Sequence, residues 1–346
     1  HYGNLAGEAF DSDPNGDPGY IRWDDSASQI TISGTVYSDE GTTKIGSPVC
    51  DNTSPVVKLV VQGSTQYTAT CSSVNSTFSI PGVSYNPGDT LTLYLATTTA
   101  RSSNVTIDPS TGITMDLYQN RVIVRTESAT PITISSMSQW DSFNDNKIPF
   151  RAVATTSTKT LTLPSNTKLI VWDNKTFAPA GNVTIQSGTT TAWDGSLEVR
   201  PGGSLSAAGT QTYNIGGNFA LDLGATFSEA NSTVNFTATT TGKTITTPIS
   251  SFYNVTFNGV GGNWAFASST ATTTNDFTIT NGVVNLPTGN MVVGGSFLNI
   301  GGVVSPNNGT LLMNSTSAGK SVRLSTSTLV NLTFNGVGGS WSFFDG

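Results

Sequence analysis

Ionisable side chains are scarce in this sequence, and histidine is almost missing. Only 11% of the 346 residues are charged, whereas a soluble globular domain has about 25%. The single histidine is His1. Catalysis by a Ser-His-Asp or Cys-His site, or at a histidine-bound zinc, is therefore not expected.

Basic clusters and long apolar runs are missing as well. The net charge is −7, and residues 1–150 carry most of the acid, with 15 Asp/Glu against 7 Lys/Arg. Without a basic stripe, a nucleic-acid partner is not expected. No run of 18 apolar residues occurs, so the sequence predicts no membrane span.

Ser, Thr, Asn, Gly and β-branched residues fill the chain instead, which predicts an all-β protein. Residues 1–27 read as an irregular acidic lead-in. Between residues 28 and 118, short alternating runs such as TFSI and TLTLYL are separated by turn residues. A spacing of about 8–12 residues between such runs is typical of a β-sandwich. Residues 119–150 form a predicted transition segment.

The sandwich region resembles two families of extracellular modules. Its runs ISGTVYSDEGTTKIG, VKLVVQG, STFSIPGV and GDTLTLYL are similar to the prealbumin-like B-type domains of bacterial surface adhesins and to carboxypeptidase regulatory-like domains. Asn75-Ser76 stands where the family often has Asp-Gly. The resemblance implies a prealbumin- or immunoglobulin-like sandwich acting as a spacer at a cell surface.

Residues 151–346 contain a duplication. NVTFNGVGGNWAF, starting at Asn254, returns as NLTFNGVGGSWSF, starting at Asn331, 77 residues later. The pairs Gly216-Gly217 and Gly242-Lys243 return with nearly the same offset. A period of this length made of short strands indicates a repeat architecture.

Two architectures fit this repeat: a row of small β-sandwiches, or a parallel β-helix (β-solenoid) with turns of about 20–25 residues. The solenoid is favoured because no linker separates the periods and because Gly-Gly and Asn-Gly steps suit tight corners. Its inward-facing residues are predicted to stack from turn to turn: Val183, Ile185, Leu197, Val199, Phe277 and Ile279. Trp264 and Trp341 are interpreted as core or corner residues, with sugar stacking as the alternative.

The second half of the chain has a resemblance of its own. LIVWDNKTFAPAGNVTIQ, TTTGKTITT and FYNVTFNGVGGNW are similar to stretches of very long Ser/Thr/Gly-rich repeat proteins of uncultivated environmental bacteria. The resemblance covers roughly residues 165–346. It implies an exported surface or filament protein and no particular activity.

Three features favour an extracellular location. The chain starts at His1, which suggests a removed signal peptide or a piece of a longer precursor. Cys50 and Cys71 are predicted to form a disulfide, with two buried free thiols as the alternative. Candidate N-glycosylation sites, of which a Thr- and Asn-rich chain generates some by chance, are Asn52, Asn75, Asn104, Asn174, Asn182, Asn231, Asn235, Asn254, Asn308, Asn314 and Asn331.

The lead-in contains a candidate calcium loop. In DSDPNGDPG, the oxygen-bearing residues Asp11, Asp13, Asn15 and Asp17 alternate, and Gly16 occupies the sixth position. This opening resembles the calcium loops of dockerins and EF-hands, although the twelfth position is Arg22 rather than the bidentate glutamate. The sequence thus predicts bound calcium, and the alternative is an acidic Pro/Gly linker.

An enzyme is not predicted. A solenoid lyase or glycosidase needs clustered carboxylates, or a basic residue beside calcium-binding acids. The densest group in the repeat region is Asp194, Glu198 and Arg200, which would share one face of a long strand. A solvated ion pair explains the same pattern.

The function expected from the sequence is structural. A repeat without a visible cap exposes strand edges that recruit other chains. The chain is therefore expected to be an extracellular protein that associates with further copies in a surface layer, filament or adhesin stalk. The main alternative is a glycan-binding module that does not assemble. A β-helix polysaccharide lyase or glycosidase ranks third.

Overall fold

The computed structural model of the protein describes residues 29–110, 112–189 and 192–344. Regular structure in these residues is almost entirely strand, with one short helix, α1 (Ile134–Met137). The predicted order of a β-sandwich followed by a parallel β-solenoid is confirmed. The candidate calcium ligands Asp11, Asp13, Asn15 and Asp17 lie outside the described residues.

The sandwich consists of two sheets that pack face to face. Its strands are β1 (Gln29–Tyr37), β2 (Val57–Val61), β3 (Thr65–Ala69), β4 (Thr77–Ser84), β5 (Thr90–Leu95), β6 (Ser103–Ile107) and β7 (Leu117–Tyr118). One sheet has the order β4-β1-β7, and the other runs β3-β2-β5-β6. Alternate residues of β1, such as Ile32 and Val36, are buried in the core between the sheets.

The predicted disulfide between Cys50 and Cys71 is present. It joins the segments that precede β2 and follow β3, and the two Cα atoms are 4.8 Å apart. Both cysteines are buried in the sandwich core. The crosslink therefore closes a loop within one part of the fold and leaves the solenoid untouched.

The next strands are β8 (Arg121–Val124), β9 (Arg151–Ala154) and β10 (Lys159–Leu163). β8 pairs in parallel with β6 on one side and with β11 (Lys168–Val171) on the other. β9 lies antiparallel to β10. Ile134 and Met137 of α1 are buried in the solenoid core. The hairpin of β9 and β10, together with α1, covers the first turn of the solenoid. The sequence-based domain limits at residues 28, 119 and 151 stay predictions.

The solenoid has three sheet faces, which we name A, B and C. Face A comprises β8, β11, β14 (Leu197–Val199), β17 (Phe219–Leu221), β20 (Lys243–Thr246), the second halves of β21 (Asn254–Phe266) and β23 (Phe277–Asn285), and β26 (Val303–Ser305). Face B comprises β10, β13 (Asn182–Ile185), β16 (Thr212–Ile215), β19 (Thr233–Phe236), the first halves of β21 and β23, β25 (Phe297–Asn299), β28 (Lys320–Arg323) and β30 (Trp341–Phe344).

Face C is built in two parts. Its strands are β12 (Thr176–Phe177), β15 (Ser204–Ser206) and β18 (Thr226–Ser228), followed by β22 (Ala271–Thr273), β24 (Asn290–Val293), β27 (Thr310–Met313) and β29 (Asn331–Phe334). Phe252 lies between the two parts, where it bridges to Thr273 and packs on the Phe227 ring.

Like residues stack along the interior, as predicted. On face B, Val234 pairs with Val255 and Val255 with Phe277, 21 and 22 residues apart. The rings of Phe277 and Phe297 are stacked with centroids 5.2 Å apart. The six residues named from the sequence as inward-facing are all buried. At about 25 cal/mol per Å² of apolar area, such columns stabilise the coil without a globular core.

The duplicated phrase changes face between its copies. NVTF of the first copy forms part of face B, whereas NLTF of the second is β29 on face C. A turn here takes about 21 residues, so 77 residues make about three and two-thirds turns. Trp264 is fully buried against Phe257, which confirms its assignment to the core. In this corner a side chain at Gly259 would collide with the Ala238 carbonyl oxygen.

Candidate functional site

The sandwich and the solenoid share one sheet, in which β6 of the sandwich pairs with β8 of the solenoid. We call the region around these two strands the joint. Strands β5 and β6 are buried on both faces. Leu91 and Leu93 of β5 point into the sandwich core, while Tyr94 and Val105 belong to the solenoid core. Because β6 continues into β8 and β11 through parallel pairing, a hydrogen-bonded sheet crosses from one part to the other.

A loop of the sandwich reaches over the outer side of face A at this joint. The loop follows β1 and is fixed by Asp39, whose Oδ1 accepts hydrogen bonds from the backbone N–H groups of Thr42 and Thr43, both at 2.8 Å. These bonds hold the pKa of the Asp39 carboxyl at about 2. The turn presents the next residue, Glu40, to the solenoid.

Glu40 forms ion pairs with three basic side chains of the solenoid. Its carboxylate lies 3.0 Å from Arg121 Nε, 2.9 Å from Lys168 Nζ and 3.3 Å from Arg200 Nη2. Glu198 in turn contacts both Lys168 and Arg200. We refer to Glu40, Arg121, Lys168, Glu198 and Arg200 as the joint cluster.

The side chains of the joint cluster are largely withdrawn from water, and each of its three cations contacts at least one of its two anions. Burial alone would raise the pKa of Glu40, but Lys168 and Arg121 outweigh it and hold the pKa below its ordinary value. For Arg200, burial lowers the pKa, and Glu198 and Tyr118 more than compensate, so the pKa is raised. Both shifts favour the charged forms, so these two residues are ionised at neutral pH.

Aromatic rings enclose the cationic side of the cluster. The Arg121 guanidinium lies 3.9 Å from the centroid of the Trp193 ring, and that of Arg200 lies 4.7 Å from the Trp172 ring. Each such contact adds about 0.5–2 kcal/mol, more where water is excluded. Ile123 and Ile170 pack with Tyr118 in a small apolar cluster beside the charges.

A second ionic group lies further along the joint. Glu127 contacts Arg125 Nε and Lys175 Nζ, each at 2.6 Å. Arg125 also donates to the Thr114 carbonyl oxygen, at 3.0 Å. This group therefore links the segment before β7 to the turn that leads into β12.

The carboxylates singled out in the sequence are only partly brought together. Glu198 and Arg200 contact each other in the joint cluster, but Asp194 does not join them, because β14 covers only Leu197–Val199. Asp194 is buried in the preceding turn. Nearby Asp222 has its pKa raised by burial and by Glu198. The geometry therefore places Glu198 in ion pairs with a lysine and an arginine.

The other sequence-predicted sites are distributed over the surface. Ten of the eleven candidate glycosylation sites are exposed or half-buried, whereas Asn104 is buried and donates to the Asp116 carbonyl oxygen. In the described ranges no group of three or more His, Cys, Asp or Glu could hold a metal ion. No helix of the described chain is long and apolar enough to cross a membrane.

Glu40 is a site residue that sequence reasoning missed. Its partners lie 81, 128 and 160 positions further along the chain, so no local motif connects them. The one available signal was the surplus of acid before residue 150 against a small surplus of base after it. Such an asymmetry does not identify the residues that pair, and Arg121 lies in the acidic part itself.

Comparison of the chain with protein-family models, curated proteins and solved structures gives no significant match.

Proposed function

We propose that this chain is an extracellular structural protein, a stiff stalk or layer element that associates with further copies of itself at a bacterial surface. The shared sheet at the joint carries this proposal. A stalk must transmit force between its parts, and a junction made of paired strands has no flexible linker to yield first.

The joint cluster supports the same role. Glu40 links a loop of the sandwich to β8, β11 and the end of β14 by charge-assisted contacts. Such contacts resist bending because their energy depends strongly on distance in a partly dry environment. Apolar columns and parallel ladders then extend the same stiffness along the solenoid.

Association of copies is favoured by exposed apolar corners along the solenoid. Leu223 and Ile249 follow the paired strands β17 and β20 and are 88% and 69% exposed. Val260, Ile300 and Val303 are exposed around the corner between faces B and A. Groups of exposed apolar residues on a rigid body mark candidate interaction sites. Side-by-side packing through these corners would produce a layer or a bundle.

An extracellular location is supported by the buried Cys50–Cys71 disulfide. Disulfides persist outside the reducing cytosol. The low charge content and the exposed glycosylation candidates such as Asn308 and Asn314 agree with that location.

Electron microscopy and analytical ultracentrifugation of the purified chain, with and without calcium, test the proposal. We expect ordered assemblies for the unmodified protein and their loss in the double variant Leu223→Asp, Ile249→Asp. Val74→Asp is the matched control, because Val74 is an equally exposed apolar residue of the sandwich. Compact monomers at high concentration under all conditions would refute self-association.

A further inference from the structure

A polar groove opens at the start of the solenoid, at the corner between faces C and B. Its volume is about 520 Å³, within the range of small-molecule sites. Its walls come from three successive turns: the hairpin between β9 and β10, the segment before β13 and the segment before β16. It is remote in sequence from Glu40, and its lining includes none of the joint cluster.

The groove wall is held in place before any ligand binds. In the hairpin, Thr155 N donates to the Thr158 carbonyl oxygen at 2.8 Å, and Thr158 N donates to Thr155 Oγ1 at 2.9 Å. The next turn lies directly on Lys159, because a side chain at Gly181 would collide with the Lys159 carbonyl oxygen. The walls therefore lose little freedom when they bind a ligand.

Three nitrogen donors line this groove without an acceptor in the described protein. Lys159 forms no ion pair there. The Asn182 side chain uses its Oδ1 to accept from Thr212 N at 2.9 Å, which leaves its amide nitrogen free. Gln211 is only 8% exposed, and its Oε1 accepts from Ala208 N and from Tyr213 Oη at 3.2 and 3.1 Å. Its nitrogen donates to no described group.

The Gln211 nitrogen is not one of the buried, unpaired side-chain atoms of the described residues, so it reaches the solvent of the groove and is available to a ligand. A ligand that pairs with these three nitrogens must supply acceptors. Among the described residues that line the groove, none is acidic or aromatic. Thr156, Ser157 and Thr158 add hydroxyl groups that both donate and accept. Three turns at about 4.8 Å per strand span about 10 Å along the axis, which suits a short oligosaccharide.

We propose that this groove binds an acidic oligosaccharide. The sugar carboxylate pairs with the Lys159 ammonium, and ring and hydroxyl oxygens accept from the amides of Asn182 and Gln211. A carboxylated sugar fits better than a neutral one because Lys159 forms no ion pair with an acid of the described residues. The proposal stands apart from the structural role, since a stalk binds such a sugar whether or not it assembles.

Titration calorimetry with a tetramer of galacturonic acid, compared with the neutral galactose tetramer and with inorganic phosphate, tests this. The protein is produced without N-glycans, because Asn182 is itself a candidate acceptor. We expect the acidic tetramer to bind at least about tenfold more tightly than either comparison ligand, and Lys159→Gln to remove about tenfold of that affinity. Lys320→Gln, a lysine with no ion pair in the described residues and far from the groove, is expected to leave the affinity unchanged.

Gln211→Glu adds an independent readout. The new carboxylate keeps the acceptor that holds Ala208 and Tyr213 but repels the sugar acid, so we expect binding of the acidic tetramer to be lost while the melting temperature stays close to that of the parent. Equal affinity for the acidic and neutral tetramers, tight binding of phosphate alone, or equal losses from Lys159→Gln and Lys320→Gln would each overturn the proposal. Absence of any binding would overturn it too.

Discussion

Replacing Glu40 by glutamine tests whether the joint cluster stabilises the connection between sandwich and solenoid. The substitution keeps the size of the side chain and removes the charge that faces Arg121, Lys168 and Arg200, at 2.9–3.3 Å. Hydrogen bonds to charged groups contribute about 1.5–3 kcal/mol each. Because Lys168 and Arg200 keep Glu198 and the Glu40 side chain is 24% exposed, we expect a net loss of about 2 kcal/mol.

The pH dependence separates an electrostatic effect from a steric one. The pKa of Glu40 is held below its ordinary value of 4.5 in the folded protein. A carboxyl with a depressed folded pKa stabilises the fold above its unfolded pKa, and that stabilisation is lost as the pH falls through the folded pKa. The difference between parent and Glu40→Gln should therefore be complete at neutral pH and shrink below about pH 4.5.

Urea unfolding at several pH values, followed by tryptophan fluorescence, measures this difference. Trp172 and Trp193 lie against the cluster and report on it directly. Glu229→Gln is the matched control: the Glu229 carboxylate accepts one hydrogen bond, from Ser251 Oγ, and forms no ion pair in the described chain. A loss that is the same at neutral and acid pH, or no larger than that of the control, would refute the role assigned to Glu40.

Three further predictions concern other parts of the chain. Replacing Cys50 and Cys71 by serine should lower the free energy of unfolding by about 3 kcal/mol, measured by denaturant titration; an unchanged midpoint would contradict it. Phe257→Ala should cost about 3–5 kcal/mol, whereas Leu223→Ala, at an exposed corner, should change stability by less than about 0.5 kcal/mol, as calorimetry can show. Calcium should bind the lead-in with a Kd around 10⁻⁴–10⁻³ M, and Asp13→Asn should weaken binding in calorimetric titrations. Equal heats for both proteins would contradict the prediction of a calcium loop.

Periodicity made most of the fold predictable from the sequence. Alternating residues such as Val183 and Ile185 share an inward face in any strand, and the 77-residue repeat without linkers favoured stacked units over a row of separate sandwiches. The disulfide could be anticipated from two cysteines in a short strand-rich stretch. These features depend on the types and spacing of residues along the chain, which the sequence shows directly.

The joint could not be predicted in the same way. A sheet such as β2-β5-β6 is buried on both faces only if another element packs against its second side. In the sequence, the fully buried strand β5 looks the same as any other apolar strand. Likewise, grouping Asp194 with Glu198 and Arg200 on one face required a strand long enough to include all three residues. The strand is three residues long, and a turn directs Asp194 elsewhere.

The 77-residue repeat falls about a third of a turn short of four full turns, and this limits where specific sites can form. The same phrase forms part of face B in one copy and of face C in the next. Its residues must therefore suit either face. A side chain that contacts one neighbour in the first copy has a different neighbour at the equivalent position 77 residues later. Repeated segments are thus restricted to features that every face tolerates, such as inward apolar residues and outward Thr or Asn. The joint cluster and the polar groove both lie before residue 212, ahead of the duplicated strands. Mutations with specific effects on ligand binding or on the joint should therefore concentrate there, whereas mutations of inward-facing residues in the duplicated turns, such as Phe257, should act through stability alone.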